Sequence, residues 1–329
     1  MFQHFIITPF NVDVGLKARS ELLDCGYLRR RFKLFQEFCF PSVYNQTNQN
    51  FKWLAFFDYE TPDEIKEKIK SLQKWSNFIP IFTQENMDFK PFLVKIIHQY
   101  LKPEDTHIIT TWLDGDDAIA NDFIEQVQQQ FNHQSFEYIN FFYGYQLTKD
   151  GLFFQKYLAN QFLSLIEQID DNILTCKIMR HVDIDPLSKE GLPVRQVVTS
   201  PLWIQLIHED NVLSKLYYQA IPQPLGKLKQ DFSVQNFVSN FSNDLYIYNC
   251  KNYLKYLFSK VFKSKILIQT FLGNLILLMN PKFLITYYQK KFEQEYSIIM
   301  SHQLSILEMK TLCLQQKSIW RKSGNITQE

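Results

Sequence analysis

The sequence predicts an α/β fold: a mixed, mostly parallel sheet flanked by helices, followed by a helical C-terminal extension. Three observations predict it. Short apolar runs alternate with helical patterns of about 10 to 15 residues through the first half of the chain, as in strand–helix–strand units. Those runs are rich in β-branched and aromatic residues. Polar groups stand just past their ends (Pro9-Phe10-Asn11, Asp58 and Asp114 to Asp117), where parallel sheets place their ligands.

Taken in order, residues 4–8 (HFIIT) predict a first strand, ended by Pro9. Over residues 28–40, Phe32, Leu34, Phe35, Phe38 and Cys39 recur at helical spacing, and Pro41 is expected to stop that helix. Residues 51–57 (FKWLAFF) predict a second strand, ending at Asp58. Thr61-Pro62-Asp63-Glu64 opens a helix expected to reach Trp75, with Pro in the first turn and acids at the positive end of the dipole. A strand over 78–82, a helix over 89–101 and a strand over 107–113 (HIITTWL) follow, the last running straight into Asp114. A helix over 122–131 and a strand over 138–143 complete this half. If the strands ending at Pro9, Asp58 and Asp114 are neighbours, their polar ends face one crevice.

Residues 145–250 read as mixed, with loops marked by Pro186, Gly191, Pro193 and Pro201. The apolar run 200–207 leads into His208-Glu209-Asp210-Asn211. The expected division is a catalytic domain over 1–250 and a helical, lysine-rich extension over 251–329.

Charge is nearly balanced, 35 Lys+Arg against 34 Asp+Glu, so the global basic excess of a nucleic-acid binder is missing. Five dispersed cysteines (Cys25, Cys39, Cys176, Cys250, Cys313) without a C-x-x-C predict neither a disulfide framework nor a zinc site, and fit a reducing cytosol. The first ten residues lack a basic region followed by a long apolar one, so no signal peptide is expected. The apolar stretch 266–279 contains Gln269, Thr270 and Asn274 and is shorter than the roughly 17 to 25 residues of a spanning helix. From Leu245 to Phe292 there are eight lysines and no Asp or Glu. Such helices either lie on an anionic membrane or cap the domain with solvated lysines.

Asp114-Gly115-Asp116-Asp117 is the centre of the functional reading. Three carboxylates in four residues repel one another, and a cation offsets the repulsion. Oxygen ligands select hard ions, Mn²⁺ or Mg²⁺, and Mg²⁺ commonly takes one or two carboxylates plus substrate phosphates. The competing reading is a solvated turn whose Asp caps the next helix. His208 is a further candidate ligand, with Glu209 or Asp210 a candidate base. Asp58 is a candidate contact for a base or ribose. Of Arg29, Arg30 and Arg31, a phosphate contact is one reading and a solvated face the other. The remaining histidines show no paired spacing and are expected to be structural. There is no P-loop and no G-x-S-x-G elbow.

The ordered series of blocks resembles a known family. His4 to Asn11, Arg31-Phe32-Lys33-Leu34-Phe35, Phe38-Cys39, Pro41-Ser42-Val43, Gln46, Phe51 to Leu54 and Asp58 resemble the start of the putative rhamnosyltransferase family, bacterial glycosyltransferases of GT-A type fold. Thr110 to Ala118 is similar to its acidic signature, and Pro201 to Gln205 through His208 and Asn211 to its second block. The resemblance covers roughly residues 1–215. It implies a GT-A domain, a nucleotide-sugar donor and a divalent metal. It further implies Asp116 on the metal and Asp114 on metal or ribose. Pro9, Phe10 and Asp58 would line the nucleotide pocket, with His208 as another metal or diphosphate contact. Asn11 and Arg31 complete the expected donor-binding set. One position departs: Trp112 stands where the family commonly has Arg. An Arg there would pair with a carboxylate or phosphate, a role not expected of Trp.

The reading that follows is metal-assisted, inverting sugar transfer to a saccharide or lipid-linked acceptor. It is placed in the cytoplasm, peripheral to the inner membrane face, with Asp210 or Glu209 as base. The rivals are a non-catalytic sugar- or membrane-binding protein of the same fold, and a metal-dependent phosphoryl-transfer enzyme or hydrolase.

Overall fold

The structure, a computed structural model, describes residues 1–14, 17–84, 88–211, 220–234, 243–261, 281–301 and 304–324. In chain order the first half runs β1 (Phe2–Pro9), α1 (Arg19–Leu22), α2 (Cys25–Leu34), α3 (Phe40–Tyr44), β2 (Lys52–Asp58), α4 (Asp63–Leu72), β3 (Phe78–Thr83), α5 (Phe89–Tyr100), β4 (His107–Trp112), β5 (Ala118–Ile119) and α6 (Phe123–Gln128). Then come β6 (Phe136–Phe141), β7 (Tyr143–Thr148), β8 (Gly151–Lys156), β9 (Ser164–Gln168), α7 (His181–Ser188), β10 (Val194–Val197), β11 (Trp203–Leu206), β12 (Ile221–Gln223) and α8 (Leu228–Asp231). Among the described residues three long helices follow: α9 (Asn243–Val261), α10 (Pro281–Ser301) and α11 (Ile306–Gly324).

Seven strands form one sheet in the order β10-β6-β9-β4-β1-β2-β3. Its pairs are parallel except those of β9, which runs antiparallel to β4 and β6. This is the expected class, a mixed α/β fold with a mainly parallel sheet flanked by helices. Its inner strands β1, β2, β4 and β6 are buried on both faces, as such sheets require, while the edge strands β3 and β10 are partly exposed. Side chains alternate between two cores: Phe5 and Ile7 of β1 enter one, Ile6 the other. On β4, Ile108 and Trp112 join the first core and Ile109 the second, followed there by Leu113.

Several expected boundaries shift: the helix opened at Thr61 ends at Leu72 rather than Trp75, and the one expected over 122–131 ends at Gln128. Pro41 does not stop the helix that precedes it. A π-helical turn, Phe35–Cys39, follows α2, and Pro41 falls in the first turn of α3, where its missing N–H breaks no helical bond. The widened turn keeps Phe35, Phe38 and Cys39 fully buried. The strand expected over 138–143 ends at Phe141, and Tyr143 begins a strand of a second sheet.

That second sheet, of order β12-β8-β7-β11-β5, fixes the site. β5 directly follows Asp117 and pairs with β11, which leads to His208 (Ile119 opposite Trp203, Ala118 opposite Ile204). The loop that carries the acids is thereby tied to the loop that carries the histidine. Gln46 adds a clasp: its amide donates to Ala120 O at 2.6 Å and accepts from Ile124 N at 2.9 Å.

The C-terminal helices dock on the body. α9 lays Tyr253 against Ile221 of β12, and Asn249 Nδ2 donates to Asp150 O at 2.6 Å. α10 packs Tyr288 and Phe292 on Phe142, and its Tyr296 hydroxyl donates to Glu137. α11 buries Met309 and Cys313, while Lys310 Nζ reaches both Asp170 oxygens at 2.7 Å. Among the described residues no helix is long and apolar enough to cross a membrane. The apolar stretch 266–279, Lys263, Lys265 and His302 lie outside the described residues. None of the five cysteines is in a disulfide.

Candidate functional site

β4, β1 and β2 are adjacent and parallel, so the loops after Trp112, Pro9 and Asp58 emerge at one edge of the sheet. The three strand ends expected to be neighbours are neighbours at that edge. Below it, Phe10 is buried among Phe32, Phe35 and Phe57. Phe10 also lies against Gly115, where an added Cβ would stand 3.2 Å from its ring. Phe10 thus supports the acidic turn from beneath.

The three carboxylates of the turn have separate fates. Asp117 is turned inward: Oδ1 accepts from Leu206 N at 2.9 Å and Oδ2 from Gln161 Nε2 at 3.4 Å. Burial, with Asp116 and Asp114 beside it, pushes its carboxyl well above the usual range. It stitches the turn to β11. Asp114 is partly exposed and accepts the indole N–H of Trp112 at 2.8 Å. Burial raises its pKa, and the charge of Lys177 opposes that rise.

Asp116 is buried and receives three donors on Oδ2: the Arg31 guanidinium, His208 Nε2 at 2.7 Å and Asn211 Nδ2 at 3.3 Å. Burial alone would raise its pKa, but Arg31 and His208 outweigh it and hold the carboxyl at about 2. Asn211 also accepts from His208 N at 2.7 Å through Oδ1, which fixes the histidine loop. Among the described residues Arg31 Nε is a buried donor with no hydrogen-bond partner, so an unmet donor stands beside the acids.

The other predicted residues fall around this centre. Pro9 ends β1 and is buried. Asn11 bridges two loops, donating to Thr61 Oγ1 at 3.0 Å and accepting from Asp58 N at 3.1 Å. Asp58 is gripped at both oxygens by Arg19, at 2.8 and 3.0 Å. Asp210 is gripped likewise by Arg30, at 2.9 and 2.8 Å, and that hydrogen bonding lowers its pKa. Glu209, on the same turn, is exposed. Of the histidines read as structural, His4 is buried between Thr111 and Gln128, and burial lowers its pKa to about 3.

Three contributors were not singled out from sequence: Arg19, Gln161 and Lys177. Trp112 also corrects an expectation, because its indole N–H does bond a carboxylate of the turn. Lys177 Nζ sits 4.3 Å from the centroid of the Trp112 ring. The only sequence signal for this pair was the departure at Trp112, which pointed to a position but not to its partner.

The donor set was tested against a divalent cation. Asp114 and Asp116 are hard oxygen donors of the kind Mg²⁺ and Mn²⁺ take, and His208 stands beside Asp116. Among the described residues no cluster of three or more His, Cys, Asp or Glu could hold a metal unaided. Two carboxylates completed by substrate phosphates are the usual provision for Mg²⁺. Asp114 and Asp116 are the oxygen donors at this edge, and Oδ2 of Asp116 is already engaged by Arg31, His208 and Asn211.

The chain is similar to S. aureus TarS (residues 1–349) at 12% identity and a TM-score of 0.37, over 90% of each chain. It is similar to the mannosyltransferase PcManGT from Pyrobaculum calidifontis, in complex with GDP-Man and Mn²⁺, at 9% identity and a TM-score of 0.36, over 90% of this chain and 86% of that one. The inositol-1-phosphate CTP transferase from T. maritima is similar at 11% identity and a TM-score of 0.35, over 65% of this chain and 92% of that one. No curated protein matches the chain significantly. The family described as putative rhamnosyl transferase matches residues 13–218, more than half of the sequence, with the acidic turn and the His208 loop inside that span, and the chain belongs to that family.

Proposed function

We propose that the protein transfers a sugar from a nucleoside-diphosphate donor to a hydroxyl of a saccharide or lipid-linked acceptor. Rhamnose is the first sugar to test, and inversion at the sugar carbon is the expected course. The observation that carries this reading is Asp116, held at the carboxyl edge of the sheet by Arg31, His208 and Asn211. As the bond to the sugar breaks, negative charge builds on the departing diphosphate, and preorganised cations and donors stabilise it. Arg31 is buried, cationic and has an unmet N–H. Pro9, Phe10, Asn11 and Asp58 form the floor and wall on which the nucleoside rests. Mn²⁺ or Mg²⁺, held by Asp116 and His208 beside Asp114, would neutralise diphosphate charge as a Lewis acid.

Asp210 or Glu209 takes the acceptor's proton. The pairing of Asp210 with Arg30 weakens it as a base, so Glu209, exposed on the same turn, is the first to test. Residues 1–250 carry this chemistry, and 251–329 form an extension that rests on an anionic, cytoplasm-facing lipid surface.

Asp116→Asn tests the reading. Donor hydrolysis and sugar transfer should fall about 10²- to 10³-fold, the scale for losing one electrostatic stabiliser. Unchanged turnover in a folded variant would contradict it.

A further inference from the structure

Lys177 is delivered to the acidic turn by a loop that is pinned along its length. The N–H groups of Leu174 and Thr175 donate to Glu167 at 3.0 and 2.9 Å. Cys176 N donates to Thr110 Oγ1 at 2.8 Å, and Ile178 O accepts from Lys90 Nζ at 2.7 Å. Ile173, Leu174, Cys176, Ile178 and Met179 are all buried in the same core as Trp112. Lys177 alone of this run turns a charged side chain outward, and it is half-buried.

The loop is also strained. Thr175 has φ 65°, a left-handed conformation uncommon for a residue with a Cβ and unfavourable for a β-branched one. Such a conformation persists where surrounding bonds over-determine it, and it gathers at functional sites. Here the bonds on either side of Thr175 do so. Two residues on, Lys177 Nζ lies over the indole of Trp112, 4.3 Å from its centroid. Trp is the best aromatic seat for a cation, and the same indole fixes Asp114 by its N–H at 2.8 Å.

Among the described residues no ion pair neutralises this ammonium. Arg31, by contrast, is committed to Asp116. The two cations reach the turn from different layers: Arg31 from α2, whose Leu28 and Phe32 lie in one core, and Lys177 from a loop buried in the other. Asp114 and Asp116 lie between the two layers, at the end of β4. A lysine on a rigid aromatic shelf, in no ion pair among the described residues though its charge acts on Asp114, is a compact point charge suited to a phosphate oxygen.

We propose that Lys177, seated on Trp112, is a phosphate-binding residue of the donor site, taking an oxygen of the nucleoside diphosphate beside Asp114. The inference rests on the donor reading above and adds a ligand contact to it.

The test is calorimetric titration of the full chain, in buffer containing Mn²⁺, with UDP, GDP and dTDP and with uridine, guanosine and thymidine. Lys177→Met removes the charge and keeps the stem; Lys177→Arg keeps a charge. For the diphosphate that the unsubstituted protein binds, Lys177→Met should weaken affinity about ten-fold or more, as loss of a charge-assisted hydrogen bond does. Affinity for the matching nucleoside should not change, and Lys177→Arg should recover most of the loss. Equal diphosphate affinity in Lys177→Met and the parent overturns the proposal. So does a parallel loss for nucleoside and diphosphate, which marks a structural role. If the parent itself binds none of the three diphosphates, the donor reading falls and takes this proposal with it, an outcome told apart because the failure is the parent's.

Discussion

Arg29, Arg30 and Arg31 follow one another on α2 and do three different things. Arg29, 66% exposed, pairs with Glu64; Arg30, 59% exposed, grips Asp210; Arg31, 11% exposed, enters the site. Successive helical positions point about 100° apart, so a basic triplet becomes one interior charge and two surface ones. Glu167 is another residue whose burial decides its chemistry. Burial pushes its carboxyl up from 4.5 to about 7, against the two N–H bonds it accepts. The folded protein therefore holds a proton there that the unfolded chain releases. This group's stabilisation is full below pH 4.5 and lost as pH rises through about 7. Glu167→Gln should flatten that part of the stability-versus-pH curve, measured by denaturant unfolding at several pH values; an unaltered slope would contradict the assignment. Gly144 gives a steric prediction. A Cβ there would stand 2.0 Å from the Trp203 indole, which is itself fully buried. Gly144→Ala should destabilise by about 3 kcal/mol, the upper range for overpacking, and urea unfolding would show it. The acids and His208 were legible in the sequence because each follows an apolar strand. The Lys177–Trp112 contact was not, because the two residues are distant in sequence and nothing local joins them.

At the scale of elements, strands were easier to read than their ends. Apolar runs that enter a sheet buried on both faces have no choice of environment, so β1 to β4 were legible. The continuation past Pro41 was not, because a π-helical turn depends on how Phe35 packs against Phe10, Trp53 and Phe78. The C-terminal helices carry two further predictions. Lys310 is almost fully buried and anchors α11 to Asp170 and to Asn172 O at 2.7 Å. Lys310→Met should destabilise the docking of α11 by about 2 kcal/mol. Hydrogen exchange would then rise in α11 before the sheet, and uniform protection would argue against the anchor. On α9 the inward face carries Asn249 and Tyr253, while Ile247, Tyr248, Lys251, Leu254 and Lys255 are exposed together. Their spacing puts them on one side of the helix. With lysines worth about 1 kcal/mol each at an anionic surface, the protein should sediment with vesicles containing phosphatidylglycerol and not with neutral ones. Reversing Lys251 and Lys255 to Glu should release it, and binding that ignores lipid charge would refute the surface.

Across the whole molecule, the order of strands does the assembling. β4-β1-β2 brings three polar loops to one edge, and the β5–β11 pair draws in a fourth from far along the chain. The alternation of apolar runs predicted the first arrangement. The second depends on a two-residue strand, too short to leave a periodic signal. The central claim is that this edge binds a nucleoside-diphosphate sugar together with a divalent cation. The most direct measurement is the melting temperature of the protein with UDP-, dTDP- and GDP-linked sugars, each with and without Mn²⁺. Ligands that bind the folded state raise it by mass action. The account predicts that one nucleotide class stabilises the protein, only when Mn²⁺ is present, and that Asp116→Asn abolishes the shift. No shift with any of them, in protein that melts cooperatively, would contradict the account.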